Sequence, residues 1–445
     1  MPFIPNTDDE RKEMLAAIGV QNFEELISNI PDELRFKGKM DLPNPLSEME
    51  ITSFFTKLVR ENSGCNDFIS FLGGGAYDHY IPAAIDHVIS RSEFYTAYTP
   101  YQPEVSQGTL QATYEYQSMI AELTAMDIAN ASMYDGSSAL AEATLMALSS
   151  PKRNKLLVSE TINPFYRQVI ETYINGQDVI LELIDYEDGV TSINDLKHKI
   201  DDQTAAVIIQ HPNFFGYLED MDEIGVIAHE KGALFITSND PISLALLEPP
   251  GAYDADIATG EGQALGNSLN YGGPYLGIFA AKEKFLRKMP GRIVGQTVDT
   301  QNRTGYVLTF QAREQHIRRE KATSNICTNQ ALNALAATVY LALMGRSGLE
   351  QVANVSLNNS HYLADKISNL NRFELRFQKP FFKEFVLRTP VDPDKIIQQM
   401  ISKNIQPGID LGKFDYELED CLLIAVTEKR TKQEMDLFVD VLSSL

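Results

Sequence analysis

The sequence predicts an α/β protein, with a large domain on a mainly parallel sheet followed by a smaller α+β domain at the C-terminus. Three observations carry this. Between Leu156 and Thr237, short apolar runs alternate with stretches of helical periodicity, the pattern of right-handed βαβ units. Beyond about residue 320 the alternation gives way to long helical stretches and separated strands. With 445 residues, 44% hydrophobic and 22% charged, the chain can fill two domains and a large core.

The elements follow in order. An N-terminal helical arm is expected over 1–46, with helices at 8–18 and 22–28 capped by Thr7 and Asn22. A polar, proline-bearing stretch, 31–45, separates it from the large domain, 47–320. Ser47 opens a helix there, and Glu50 completes a capping box. Tyr95, Tyr98, Pro100, Tyr101 and Pro103 make a stiff, irregular loop before Ser106-Gln107-Gly108, which starts a helix over 109–126. Gly136-Ser137-Ser138 precedes a helix over 139–148. LLVS from Leu156, DVILELI from Asp178, AAVIIQ from Ala205 and ALFIT from Ala233 read as strands, and 164–173 and 222–231 as helices. DADIATG from Asp254 is a further strand. A glycine-rich loop, 263–277, leads into YLGIFAA, read as an antiparallel edge strand. The small domain, 321–445, should hold helices at 328–344 and 349–368, broken near Gly345. The strands FELRF, EFVLRT and LLIAVT follow, with helices from Asp392 and Lys432.

A net charge of -23 and a pI near 4.7 argue against a nucleic-acid or anionic-membrane surface. No apolar run reaches membrane-spanning length and no leader pattern is present, so a cytoplasmic location is expected. Cys65, Cys327 and Cys421 are odd in number and widely spaced, which suggests neither a disulfide framework nor a metal site.

Three segments carry a family signal: FLGGGAYDHYIP (71–82), YTAYTPYQPEVSQGTLQATYEYQ (95–117) and IANASMYDGSSALAEA (128–143). Together they resemble the N-terminal half of the glycine-cleavage P-protein, glycine decarboxylase, in a match running from Pro2 to the C-terminus. In some bacteria that enzyme is split in two, and this chain resembles the first subunit. The resemblance implies an aspartate-aminotransferase-like large domain, the type I fold of pyridoxal-phosphate (PLP) enzymes. It also implies a complex that decarboxylates glycine and passes the aminomethyl group to the lipoyl arm of the H-protein.

Against that background one absence is informative. No lysine occurs between Lys231 and Lys282. A PLP enzyme of this type needs a lysine amine there, because it condenses with the cofactor aldehyde and is then displaced by the substrate amine. By resemblance, Ala264 stands at the lysine position and Thr237 at that of the acid facing the pyridine nitrogen. Asn163 stands where a histidine stacks on the ring, and no histidine occurs between His87 and His198. Three cofactor functions are missing together. Gly136, Ser137 and Ser138 would then form a vestigial phosphate turn, although a serine-capped helix start explains them more simply and is favoured.

The resemblance therefore assigns PLP and its lysine to a second subunit, with none covalently bound here, in an obligate hetero-oligomer expected to be a heterotetramer. It places the tyrosine segment at the interface with that subunit. Tyr95, Tyr98, Thr99, Tyr101, Glu104 and Gln107 are the candidates for shaping its glycine site, since phenol and amide groups bind a small carboxylate well. His211, at the end of a strand, is read as structural. His316 with Arg318, Arg319, Glu320 and Lys321 is read first as a solvated face and second as a substrate entrance. Two rival readings are an autonomous enzyme using Lys282 or Lys284, and a cofactor-free regulatory homologue without a decarboxylase partner. The two lysines follow the strand YLGIFAA rather than the glycine-rich loop, so they read as surface residues.

Overall fold

The computed structural model describes residues 5–149, 153–322 and 324–444. They fall into two compact units, 1–62 and 63–445. The first unit contains the helices Asp8–Ile18, Phe23–Leu26 and Glu48–Arg60. Thr7 and Ser47 form reciprocal capping boxes with Glu10 and Glu50, and Asn22 caps Phe23–Leu26. The helix expected to open the large domain, Glu48–Arg60, falls within this unit. Its apolar residues Phe54, Phe55, Leu58 and Val59 are exposed, and no residue of these three helices is buried.

The second unit is built on a seven-stranded sheet. In spatial order its strands are Ile128–Ala129, Gly277–Ala281, Ile257–Glu261, Leu234–Asn239, Thr204–His211, Lys155–Ser159 and Ile180–Ile184. The last five run parallel to one another, and Gly277–Ala281 is antiparallel to both neighbours. It was expected at the edge, but the short strand Ile128–Ala129 lies outside it. The parallel strands are covered on both faces, which is why they read as continuous apolar runs. On one face Leu156, Val158, Ile208 and Ile236 pack with Leu140, Ala143 and Ala147 of the helix Gly136–Leu148. On the other, Leu157, Val207, Ile209 and Phe235 pack with Ile224, Ile227 and Ala228 of Met221–Glu230.

The helix Ala331–Ser368 is interrupted at Gly345, whose φ of 55° and ψ of -173° break the helical path where the sequence placed the end of one helix. Its second half packs on a four-stranded antiparallel sheet ordered Glu374–Leu375, Glu384–Arg388, Cys421–Ala425 and Ile409–Asp410. Phe214, Phe215 and Tyr217, from the loop after Thr204–His211, share that second core. A hairpin, Ile293–Val298 with Thr304–Thr309, lies along the helix Gln107–Thr124. It is anchored by Gln117, whose side chain exchanges hydrogen bonds with the Val294 backbone at 2.9 and 3.0 Å.

Candidate functional site

Ligands of open α/β sheets bind outside the carboxyl ends of the parallel strands. Here that cleft is lined from the sheet by Asn163, Gln210, Ser238, Asp240 and Glu261. The rest of the chain contributes Tyr77, Tyr166, Lys383 and Glu384. The void left between these side chains is about 30 Å³, room for no more than a few water molecules. Small-molecule sites of PLP size are about tenfold larger or more.

Two charged assemblies fill the space. The Lys383 ammonium is buried, 2.7 Å from Asp240 Oδ2, 3.0 Å from His79 Nε2 and 3.5 Å from the centroid of the Tyr77 ring. Ammonium groups only donate, so Nε2 accepts and Nδ1–H donates to Glu428 at 2.6 Å. Burial, and then the charge of Lys383, lower the His79 pKa and keep its imidazole neutral. The neighbouring Glu384 accepts from Gly74 N–H and from the Tyr77 hydroxyl, each at 2.7 Å. Burial pushes its pKa up to about 7. The chain makes room for this carboxylate's strand with Gly216, whose φ is +91°. A Cβ there would overlap the Glu384 carbonyl oxygen.

The second assembly sits at the start of Gly136–Leu148. Glu261 Oε2 accepts from Gly136 N–H at 2.8 Å, and Oε1 accepts from Gln263 and Leu276 N–H at 2.9 and 3.1 Å. Asp135 caps the same helix, accepting from Ser138 N–H at 2.7 Å and from the Ser137 hydroxyl at 2.6 Å. A phosphate would need these same donors at the positive helix end. They are already satisfied by two carboxyl groups of the chain itself. Burial raises the Glu261 pKa to about 8, against the opposing pull of its N–H donors.

The positions aligned with cofactor residues have other occupations. Ala264 is buried in a core with Ile85, Tyr116 and Leu276, and does not line the cleft. Thr237 also faces away from the cleft. Strand side chains alternate, so Ser238, not Thr237, points into it beside Gln210. The Thr237 hydroxyl instead accepts from Asn239 Nδ2 at 2.9 Å. Asn163 does line the cleft, where it acts as a helix cap. Its Oδ1 accepts from Phe165 N–H, and its Nδ2 donates to the Gly74 carbonyl at 2.7 Å. Ser137 and Ser138 do belong to a helix start, but the cap is Asp135. The residues of this cleft do not fit PLP. It offers no amine at 264, no free phosphate donors at 136 and too little space.

The tyrosine segment is separate from the cleft. Tyr95, Tyr98 and Tyr101 are 68%, 81% and 48% exposed. Tyr95 and Tyr98 line a shallow hollow of about 70 Å³ with Thr109, Thr113 and Leu332. Thr99 is half-buried and Glu104 exposed. Gln107 clamps the segment to the hairpin, exchanging hydrogen bonds of 2.9 Å with the Tyr306 backbone and donating to the Pro103 carbonyl at 2.7 Å. Among the remaining candidates, His211 is buried, its pKa lowered to about 4, and its Nδ1 accepts from Glu219 N–H. Lys282 and Lys284 pair with Asp254 and Asp256 outside the cleft. Residues 316–321 are exposed. Among the described residues no cluster of His, Cys, Asp or Glu could hold a metal, and no helix is long and apolar enough to cross a membrane.

Sequence reasoning missed Tyr77, His79, Asp240, Glu261, Lys383 and Glu384. A signal existed for the last two: Lys383-Glu384 interrupts the apolar run FFKEFVL, and adjacent charges inside a buried strand demand partners.

Comparison with known proteins follows the same lines. The family model described as "Glycine cleavage system P-protein" matches residues 1–442. A probable glycine dehydrogenase (decarboxylating) subunit 1 from Chloroherpeton thalassium is 54% identical over all of both chains. A protein of the same description from Prosthecochloris aestuarii is 56% identical, again over all of both. A crystal structure of glycine decarboxylase (P-protein) of the glycine cleavage system, in inhibitor-bound form, superposes with a TM-score of 0.90 at 41% identity over 100% of each chain. An alanine–glyoxylate aminotransferase from Nostoc sp., 16% identical with a TM-score of 0.60, covers 85% of this chain and 94% of its own, and shares the fold alone.

Proposed function

The chain belongs to the glycine cleavage system P-protein family and is part of a glycine dehydrogenase (decarboxylating); on that premise, we propose that it is the cofactor-free half of the enzyme, bound to a second subunit that carries PLP and its lysine. The complex would remove the carboxylate of glycine as carbon dioxide and transfer the aminomethyl group to the lipoyl arm of the H-protein. One observation carries the assignment of the cofactor to the partner: Glu261 occupies the Gly136 N–H that a cofactor phosphate would require. The filled cleft and Ala264 agree with it.

This chain's contribution would be a surface. The segment from Tyr95 to Gln107 offers exposed phenols on a loop clamped at Gln107 and stiffened by Pro100 and Pro103. Such hydroxyls can orient a carboxylate and exclude water without holding the cofactor. The first unit, with apolar helix faces and no buried residue, supports an obligate assembly, since such faces are covered in stable interfaces.

Borohydride reduction of the purified complex tests this. A pyridoxyl adduct should appear on the second subunit, and the chain purified alone with added PLP should give no stoichiometric adduct. An adduct on Lys282, Lys284 or Lys383 of this chain would overturn the reading.

A further inference from the structure

Arg292 lies at the base of the tyrosine segment and is 4% exposed. Its backbone is fixed, the carbonyl accepting from Ala131 N–H at 2.8 Å. Its Nη2 donates to the Tyr101 hydroxyl at 3.2 Å, and the guanidinium carbon lies 5.5 Å from the Tyr101 ring centroid. Its Nε is buried without a hydrogen-bond partner. Among the described residues no carboxylate pairs with it. Acidic groups on the neighbouring segments are engaged elsewhere, Asp299 with Arg303 at 2.7 Å and Glu314 near His316 at 3.6 Å. A second arginine, Arg313, donates to the Gly291 carbonyl next to it, and its Nε is also buried and unpartnered.

A buried guanidinium without a counter-ion is unfavourable, and this is an acidic chain with 61 Asp and Glu residues available to pair with it. The orientation of the contact says what completes it. A guanidinium can only donate, so the Tyr101 oxygen accepts and the Tyr101 O–H is left to donate elsewhere. Tyr101 is half exposed, so that proton is offered toward the surface. A hydroxyl that accepts one hydrogen bond is polarised along the chain and donates a second more strongly. Tyr95 and Tyr98 have no such support.

We propose that Tyr101, positioned and polarised by Arg292, is the oxyanion-binding hydroxyl of the tyrosine segment, and that its ligand is a carboxylate or phosphate group held on the second subunit. This rests on the reading that the segment faces the partner's site. Tyr101 makes the contact, and Arg292 is a positioning residue that acts through it. The ligand has two possible sources, the glycine carboxylate and the cofactor phosphate.

The test uses the purified complex with its second subunit, carrying Tyr101→Phe, Arg292→Gln, Arg292→Lys or the Phe/Gln pair, beside Tyr95→Phe and Tyr98→Phe. Glycine affinity is read from the change in cofactor absorbance, and cofactor affinity from PLP titration of the resolved complex. Loss of a hydrogen bond to a charged group should weaken one of these by about 10- to 150-fold in Tyr101→Phe. Arg292→Gln should approach the same value, Arg292→Lys should keep part of the affinity, and the double variant should be no worse than Tyr101→Phe. A fall in glycine affinity identifies the carboxylate, and a fall in PLP affinity the phosphate. If Arg292→Gln does not assemble, Tyr101→Phe and Arg292→Lys still decide the matter. Multiplicative losses in the double variant, or a neutral Tyr101→Phe beside an impaired Tyr95→Phe or Tyr98→Phe, overturn the pair but leave the segment at the partner's site. Wild-type affinities in all three Phe variants overturn both.

Discussion

Glu261→Gln isolates the carboxyl group that fills the phosphate position. Its pKa is raised to about 8 by burial, against about 4.3 for an unperturbed glutamate. A raised carboxylate pKa means that the folded chain holds a proton which the unfolded chain releases. Stability from this group is therefore complete below about pH 4.3 and is lost as pH rises to about 8. At about 1.36 kcal/mol per pH unit the loss reaches roughly 5 kcal/mol. Gln is neutral throughout and escapes this loss, but both oxygens of Glu261 accept N–H donors and the amide NH2 cannot, so Gln carries a pH-independent penalty of about 1–3 kcal/mol. An unfolding entropy of about 2.1 cal/mol/K per residue gives roughly 0.9 kcal/mol per degree for a chain this long, so 5 kcal/mol is about 5 °C. Between pH 5 and pH 8.5 the wild-type midpoint should fall by about 5 °C relative to that of Glu261→Gln, on top of a constant offset against Gln for the lost acceptor. Glu384, also raised, is common to both and cancels. A difference between the two midpoints that does not change between pH 5 and pH 8.5 would refute the reasoning. It would mean that three N–H donors and the helix end keep Glu261 ionised.

Three further outcomes follow from the packing. Lys383→Met leaves the partly buried Asp240 without its cation and should lower stability by up to about 3–5 kcal/mol, with most of the loss recovered in the Lys383→Met/Asp240→Asn pair; calorimetry of the complex checks both. Gly216→Ala forces a left-handed backbone and a Cβ onto the Glu384 carbonyl, so soluble yield should collapse, and a normally folded variant would contradict the stated contact. Phe55→Asp should leave the chain's circular dichroism unchanged while weakening assembly with the second subunit, read by size-exclusion chromatography, because Phe55 is 54% exposed on an apolar face.

The parallel strands were legible because burial on both faces leaves unbroken apolar runs, as in AAVIIQ. Thr7, Ser47 and Asn22 were legible as caps because capping is local chemistry. The hairpin 293–309 was not. One strand ends in the exposed residues Gln296, Thr297 and Val298, and the side chain that anchors it, Gln117, is distant in sequence. Ala264 could be aligned by family pattern, but the side on which Thr237 and Ser238 point depends on strand parity, which a one-residue offset reverses. The cleft's actual contents were invisible for a different reason. Tyr77 and Glu384 lie 307 positions apart, and no local rule joins them.

The ion pair of buried Lys383 with Asp240 has a mechanical consequence. Asp240 follows the central strand Leu234–Asn239, and Lys383 precedes the first residue of the antiparallel strand Glu384–Arg388. The bond is a strut between the two sheets of one compact unit. Any hinge motion that separated them would strip a counter-ion from a charge already out of water. Opening of the cleft between the two sheets is thereby tied to a charge separation, which the pair resists.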